Sequence, residues 1–349
     1  MTGFVSIHSK RDHWGENQMK RLFSFALVLF LIYASFALAE PLTTNGGVEL
    51  DTAALPYCTS DETAPAVYFI SDISPESLVA AYQALGVELP GRVGVKMSTG
   101  ESTRSNYLRP ALITDLVHLV NGTIVECNTA YGGSRVSTAM HRQQAKDNGL
   151  TDVAELDILD EEGSMELPIE GGQRIQVDYV GSHFANYDSF LVLTHFKGHA
   201  MAGFGGAIKN ISIGFGSSVG KVWIHSGGTR TTGGIWGDQD PFLEAMADAA
   251  KGVDTAMGDN IVYISVLNRL SVDCDCDGSP AEPDMHDIGI LASTDPLAID
   301  QAAIDLVYAM PDSGSLVRRI ESRNGLHTLE AGEQIGLGSR SYRLQVIGE

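Results

Sequence analysis

Residues 189–210 read SFLVLTHFKGHAMAGFGGAIKN, an apolar run followed by a segment rich in glycine, histidine and lysine. The run from Ser189 to Leu193 predicts a buried strand, so residues 194–199 should lie at its carboxyl end, where open α/β sheets bind their ligands. The four glycines of the segment remove side chains where a ligand or another stretch of backbone must come close. A glycine-rich turn with solvated histidines is the alternative interpretation.

Two histidines and one lysine of this segment have side chains suited to chemistry. His195 and His199 can bind a metal ion or transfer protons near neutral pH. Lys209 can pair with an anion, or form a covalent adduct once it is removed from water. We therefore predict that His195, His199 and Lys209 are catalytic, and that the two histidines are also metal ligands.

The rest of the chain alternates predicted strands with predicted helices. Strands are predicted over 66–70, 92–96, 123–127, 260–266 and 288–292, and helices from 74 onward and over 110–120, 137–148 and 295–308. This alternation predicts an α/β fold with a mainly parallel sheet and helices on both faces. The length of 349 residues allows one large domain or two lobes. Residues 40–65 are polar and predict a loose leader before a domain over 66–349.

Further polar residues follow the predicted strands and should lie at the same edge of the sheet as the histidines. Five of them are predicted to bind substrate: Lys96, Glu101, Asn128, Arg135 and Lys197. Residues 284–287 abut a predicted strand and are expected to line the same pocket. His141 and His225 fit a structural role at least as well as a functional one.

The four cysteines allow several interpretations. Cys58, Cys127, Cys274 and Cys276 could form disulfides in an oxidising compartment, with three possible full pairings. Cys274-Asp275-Cys276 lies in an acidic loop and suits a metal or a redox pair, so both cysteines are predicted metal ligands. Two unrelated structural cysteines would give the same pattern.

The amino terminus has the features of a targeting segment. Lys20 and Arg21 precede eighteen uncharged residues that end in Ala37-Leu38-Ala39 before Glu40. A basic start, an apolar run and a small-residue site predict a cleaved signal peptide over 19–39, with export to the periplasm or the exterior. We interpret residues 1–18 as an extension upstream of the true start. A retained membrane anchor is the competing interpretation; after cleavage no stable anchor is expected.

Charge and motif searches exclude several classes of function. A formal net charge of −21 argues against nucleic acid or an anionic membrane surface as the partner, because both attract basic surfaces. No G-x-S-x-G elbow of a serine hydrolase is present, and Lys209-Asn210 does not complete a phosphate-binding P-loop. The expected partner is a small anionic molecule, and the sequence leaves the oligomeric state open.

Five segments in the same order resemble the domain of unknown function family DUF362. They are residues 96–101, 128–135, 195–210, 273–276 and 287–300, within a resemblance over 66–329. Members are often described as iron–sulfur centre proteins, because many have a ferredoxin-like insert after the Lys-Asn pair. Here residues 211–259 contain no cysteine, so the resemblance implies a redox setting without a four-iron cluster.

The spacing of His199, Gly203, Gly205-Gly206 and Lys209 is also similar to a segment of nickel-pincer lactate racemases. That resemblance implies that Lys209 anchors a cofactor and that His199 is a metal ligand or an acid and base. It provides no counterpart for Cys274 or Cys276.

Two classes of function stay open at this point. The first is an exported enzyme, redox or racemase-like, that uses a transition metal or metal-bearing cofactor on a small anionic substrate. The second is a non-catalytic protein that binds a metal or a small anion, with the same lysines and arginine acting only as a clamp.

Overall fold

A computed structural model describes residues 41–347. The predicted upstream extension (1–18) and signal peptide (19–39) lie outside the described residues. In the described part the strands are β1 (Leu42–Thr43), β2 (Glu49–Leu50), β3 (Ala66–Ile70), β4 (Val93–Lys96), β5 (Thr123–Glu126), β6 (Leu156–Ile158), β7 (Ser164–Pro168), β8 (Val177–Gly181), β9 (Ser189–His195), β10 (Lys197–His199), β11 (Gly203–Gly205), β12 (Ile261–Leu267), β13 (Gly289–Ser293) and β14 (Arg343–Val346).

The α-helices of the same part are α1 (Pro75–Ala84), α2 (Pro110–Leu119), α3 (Thr138–Asp147), α4 (Ala207–Ser212), α5 (Ser218–His225), α6 (Gln239–Met257), α7 (Pro296–Ala309), α8 (Gly314–Ser322) and α9 (His327–Ile335). Local sequence explains where several of them begin. The Ser74 hydroxyl accepts a hydrogen bond from the Ser77 N–H at 3.2 Å, and Pro75 opens α1. The Asp295 carboxylate caps α7 in the same way.

Eight strands form one sheet in the order β14-β3-β13-β12-β9-β4-β5-β6. Neighbouring strands are parallel except at β13, which is antiparallel to both β12 and β3. The chain steps from β4 outward through β5 to β6, whereas β9 and β12 lie on the other side of β4. The connections therefore diverge at the carboxyl ends of β4 and β9, and such a switch in strand order opens a crevice.

Helices cover both faces of this sheet, as the sequence predicts. Side chains alternate along β9, so Phe190 and Val192 join one hydrophobic cluster while Leu191 and Leu193 join the other. Helices α4 and α7 pack on the first face, and α1 and α2 pack on the second. A strand buried on both faces reads as a continuous apolar run, which is the pattern of residues 189–193.

The segment 40–65, expected to be a loose leader, is packed against the core from residue 42 onward. Leu42, Leu50 and Leu55 are buried in the cluster on the first face. Three apolar side chains spaced by polar residues suffice to dock the segment, and β1 pairs with β2. Residues 42–347 belong to one compact unit. Within the described residues no helix is both long and apolar enough to cross a membrane.

Candidate functional site

A cavity of about 230 Å³ lies at the diverging carboxyl ends of β4 and β9. Eight of the ten residues predicted for the site line it: Lys96, Arg135, His195, Lys197, His199, Lys209, Cys274 and Cys276. Residues up to 180 positions apart in the sequence thus meet at one sheet edge, as parallel strands require.

The segment after β9 folds back on itself to form one wall. Residues 197–199 pair antiparallel with residues 203–205, so that Lys197 lies opposite Gly205 and His199 opposite Gly203. Gly203 has a φ of +82°, a conformation that favours glycine, and it makes the return possible. Helix α4 begins directly after this ladder and brings Lys209 to the cavity.

Asp300 of α7 fixes the start of α4. Its carboxylate accepts hydrogen bonds from the backbone N–H groups of Ala207 (2.6 Å) and Ile208 (2.9 Å). Burial raises the pKa of Asp300 to about 7, against the lowering effect of these two N–H donors. The segment 287–300, which carries the family resemblance, therefore supports the site without lining it.

Asn210 joins the ends of the two central strands. Its amide donates to Thr194 Oγ1 at 3.0 Å, and its Oδ1 accepts from Lys96 Nζ at 2.9 Å. Lys96 is 1% exposed, and burial lowers its pKa to about 8, although Glu126 opposes that shift. A lysine so placed can change charge within the physiological range.

Lys209 borders the cavity with no partner of its own. Protein atoms enclose the side chain, and this burial, together with the positive charges of Lys197 and Lys96, lowers its pKa to about 7. The residue is partly exposed and lines the cavity. Within residues 41–347 no hydrogen bond or carboxylate compensates its ammonium group.

Arg135 is held by two carboxylates. Its Nε contacts Glu101 Oε2 and its Nη1 contacts Glu126 Oε1, both at 3.0 Å. Burial alone would raise the pKa of Glu126, but Arg135 and a hydrogen bond from His141 hold that pKa well below its usual value. Arg135 lines the cavity, and the two carboxylates fix the position of its guanidinium group.

Glu101 and Asn128 do not line the cavity, and their predicted contact with substrate stays a prediction. Glu101 acts through Arg135, and Asn128 Oδ1 lies 3.3 Å from His141 Nδ1. His141 is buried, contacts Glu126 and does not line the cavity itself. The sequence places these side chains after the correct strands but does not reveal which way they turn.

His195 has both ring nitrogens engaged. Nδ1 lies 2.9 Å from Asp275 Oδ1, and Nε2 lies 2.7 Å from the backbone oxygen of Asn268. Lys197 Nζ lies 2.9 Å from the other oxygen of Asp275. Both nitrogens are therefore engaged within the described residues, and a role of His195 as a metal ligand, which stays a prediction, would require one of these contacts to break. Lys197 is likewise already paired.

His199 and His225 are fixed in opposite tautomers. His199 Nδ1 accepts from the N–H groups of Met201 (3.1 Å) and Ala202 (2.9 Å), so in the neutral ring the proton is on Nε2. His225 Nδ1 donates to the Lys221 carbonyl at 2.6 Å, which leaves Nε2 as an acceptor. Burial is the main reason that the pKa of His199 lies well below its usual value and that of His225 falls to about 3.

The cysteines form one bridge, between Cys274 and Cys276. Cys58 and Cys127 are free thiols, and burial raises the pKa of Cys127 to about 12. A ring nitrogen of His199 and the two bridged sulfurs lie within 4.8 Å of one another. The sulfurs are available to a metal ion only after the bridge is reduced.

Several lining residues were not singled out from the sequence. Lys221 donates to the Gly216 carbonyl at 2.5 Å, and Trp236 borders the cavity with 75% of its surface exposed. Both lie beyond α4, where no motif marks them. Conversely, residues 284–287 do not line the cavity; His286 is exposed and pairs with Asp312.

Comparison with known proteins gives one family match and distant structural neighbours. The model of a domain of unknown function, DUF362, matches residues 93–305. The lactate racemase apoprotein from Thermoanaerobacterium thermosaccharolyticum is similar with a TM-score of 0.44 and 15% identity, over 78% of this chain and 62% of that chain. A protein from Thermotoga maritima gives a TM-score of 0.38 and 11% identity, over 74% and 58%. This chain thus spans less than two thirds of either neighbour, and no curated protein matches it.

Proposed function

This chain belongs to the DUF362 family, and from the geometry of its cavity we propose that it is a cofactor-dependent enzyme that acts on a small anionic molecule. The observation that carries the proposal is Lys209, an enclosed lysine at the cavity with a pKa lowered to about 7 and no compensating carboxylate.

The cavity has more positive than negative charge. Lys197 is paired with Asp275, and Arg135 with Glu101 and Glu126. Lys96, Lys209 and Lys221 form no ion pair with a carboxylate of the described residues. Enclosed cations without counter-ions favour binding of an anion, because its attraction offsets part of the solvation free energy that they lose on burial.

Lys209 and His199 have the protonation states that chemistry near neutral pH requires. A lysine with a pKa of about 7 is partly a neutral amine at that pH, and a neutral amine is a nucleophile. His199, held neutral with its proton on Nε2, is a hydrogen-bond donor toward negative charge that develops on a substrate.

The residues fit an anionic cofactor attached at Lys209 better than a bare metal ion. His195 has no free nitrogen, and Cys274 and Cys276 are joined to each other. Lys209 would anchor the cofactor, and His225 Nε2 is the imidazole nitrogen left as an acceptor to hold it. Such a cofactor would supply the capacity to accept a hydride or electrons.

Anion binding to matched variants tests the proposal. We expect calorimetric titration to detect binding of phosphate or of a 2-hydroxycarboxylate to the wild-type chain, with affinity at least about tenfold weaker in Lys209→Met. Lys146→Met is the control, because Lys146 is exposed and outside the cavity. Equal affinity in wild type and Lys209→Met, or binding of neither anion, would contradict the proposed site.

Turnover distinguishes an enzyme from the alternative, a protein that only binds a metal or an anion. We expect protein purified from its natural compartment to convert one enantiomer of a 2-hydroxycarboxylate into the other enantiomer or into the 2-oxo acid, as measured by chiral chromatography. An absorption spectrum and metal analysis of the same sample report the cofactor. Binding without any chemical change of the ligand would support the alternative.

A further inference from the structure

We propose that the Cys274–Cys276 bridge is a redox-active disulfide that exchanges with small thiols entering the cavity. This activity is separate from the proposed chemistry on an anionic substrate and does not depend on it. The observations that carry it are the position of the bridge on the cavity wall, the short loop that it closes, and the unequal surroundings of its two sulfurs.

The bridge is poorly suited to stabilise the fold. Its cysteines are two positions apart in the sequence, so the bridge closes a loop of only three residues. A cross-link removes less entropy from the unfolded chain as the loop it closes becomes shorter. The loop is also held without the bridge, because Arg319 Nη1 donates to the Val272 carbonyl at 2.7 Å and the Glu101 N–H donates to the Asp275 carbonyl at 2.9 Å.

The position of the bridge favours exchange. Both cysteines line the cavity, so a small thiol that enters it meets the bridge directly. A ring nitrogen of His199 lies within 4.8 Å of both sulfurs, and Lys197 Nζ lies 2.9 Å from the carboxylate of Asp275, the residue between the cysteines. The Cys276 N–H already donates to Cys274 Sγ at 3.2 Å, and such a donor stabilises the thiolate that leaves when the bond breaks.

The two sulfurs have different roles. Cys276 is the more exposed of the pair, whereas Cys274 is 6% exposed and its Sγ accepts a hydrogen bond from the Cys276 N–H at 3.2 Å. A thiolate in the cavity therefore attacks Cys276 Sγ and forms a mixed disulfide. The electron pair of the broken S–S bond moves to Cys274 Sγ, where the Cys276 N–H stabilises it.

A second thiol completes the reaction. It attacks the mixed disulfide at the sulfur of the first small thiol, forms the oxidised small disulfide, and releases Cys276 as a thiolate. Two small thiols are thus oxidised to one disulfide, two electrons reduce the bridge, and both protons are recovered on Cys274 and Cys276 or in water. In the reverse direction Cys276 is the attacking thiolate and the small disulfide is reduced.

The test measures thiols in the native full chain. We expect millimolar glutathione to open the bridge without unfolding, so that alkylation and peptide mapping detect new thiols at Cys274 and Cys276. Circular dichroism before and after reduction verifies the fold. Cys58→Ser is the control, because Cys58 lies outside the cavity and should not affect the reaction.

Single variants test the assigned order of attack. With glutathione disulfide, Cys276 in Cys274→Ser should form a mixed disulfide about tenfold faster than Cys274 in Cys276→Ser. A bridge that glutathione reduces only after the chain is unfolded would make it a structural cross-link and overturn the proposal. Equal rates in the two variants would overturn the assigned roles. The assay measures thiol exchange at the two cysteines and requires neither Lys209 nor turnover of a substrate, so its failure would leave the proposed function standing.

Discussion

Enclosure by protein, more than any charged neighbour, is the reason that Lys209 can be a neutral amine near pH 7. An ordinary lysine has a pKa of about 10.4, so at pH 7 it is neutral in roughly one molecule in a few thousand. Lowering the pKa of Lys209 to about 7 raises its neutral fraction by roughly three orders of magnitude. The same shift disfavours the folded state, which is the expected cost of a functional lysine.

The first prediction concerns the reactivity of this amine. We expect reductive alkylation of Lys209 by glyoxylate to be half-maximal near pH 7, because only the neutral amine forms the imine. Mass spectrometry of the labelled peptides measures the profile, with exposed Lys146 as the internal reference. A half-point near pH 10 at Lys209 would mean that the site is solvated.

The second prediction concerns Glu126, which compensates Arg135 at 3.0 Å. Its pKa is lower in the folded chain than in the unfolded chain, so it contributes stability above about pH 4.3, which is lost as the pH falls through the lower folded value. Glu126→Gln should therefore reduce the free energy of unfolding by about 3 kcal/mol at pH 7, with a smaller difference below about pH 4. Urea titrations at both pH values measure it.

Glu88→Gln is the control for that experiment, because Glu88 is exposed and should change stability by less than about 0.5 kcal/mol. If the two variants lose equal stability at pH 7, the buried pair of Arg135 and Glu126 is not the source of the effect.

At the scale of single residues, the sequence predicts which residues form the site better than it predicts what each of them does there. His195, His199 and Lys209 all reach the cavity. The hydrogen bonds of the two histidine rings, however, depend on a partner distant in the chain for His195, namely Asp275, and on a local backbone turn for His199. Neither the turn nor the pairing has a signature in residue type or spacing, so neither could be predicted from the sequence.

Helix α4 shows how one element depends on another for its position. It has six residues, too few to be stable alone, and its first N–H groups are satisfied by Asp300 of α7. Gly206, just before α4, leaves the space that this carboxylate occupies, since a Cβ there would lie 2.3 Å from Asp300 Oδ1.

The third prediction follows from that contact. Gly206→Ala should displace the Asp300 carboxylate, lower the free energy of unfolding by about 1 to 3 kcal/mol, and weaken anion binding because α4 carries Lys209. Gly132→Ala is the matched control, because a Cβ there meets nothing within 4 Å. Thermal unfolding measures the stability of both variants, and calorimetric titration measures their affinity for the anion. Equal stability and affinity in the two variants would contradict the packing described.

Elements with strong local signals were predicted, and those stabilised mainly by tertiary contacts were not. The apolar run of β9 and the Asp295-Pro296 start of α7 are examples of the first kind. The β7–β8 hairpin has a mostly exposed first strand without regular alternation, and α6 begins without a side-chain cap. Both depend on packing against other elements rather than on a boundary motif.

At the scale of the whole molecule, strand order determines where the site lies. Lys96 ends β4, His195 ends β9 and the Cys274–Cys276 loop follows β12, and these three strands are neighbours in one sheet. Alternation of strands and helices predicts a parallel sheet and hence one functional edge. It does not predict the antiparallel insertion of β13, which depends on the path of a long loop.

The last prediction concerns export and the start of the mature chain. We expect cleavage after Ala39, because Ala37-Leu38-Ala39 ends an uncharged run that follows Lys20 and Arg21. Cleavage there would leave two residues before Leu42, which is 1% exposed and pairs with Leu50. The mature chain would therefore keep every residue of the first strand that packs on the core. An oxidising compartment would also allow the Cys274–Cys276 bridge to form and to exchange with thiols.

Amino-terminal sequencing of the exported product measures the cleavage site, and we expect it to begin at Glu40. The control is Ala39→Pro, because a proline beside the scissile bond should block processing and retain the longer chain in the membrane fraction. If the wild-type chain keeps residues 22–39 and stays with the membrane, the segment is an anchor. The cavity would then lie on a chain tethered to a membrane, and the anionic ligand that we propose would have to be one available at that surface.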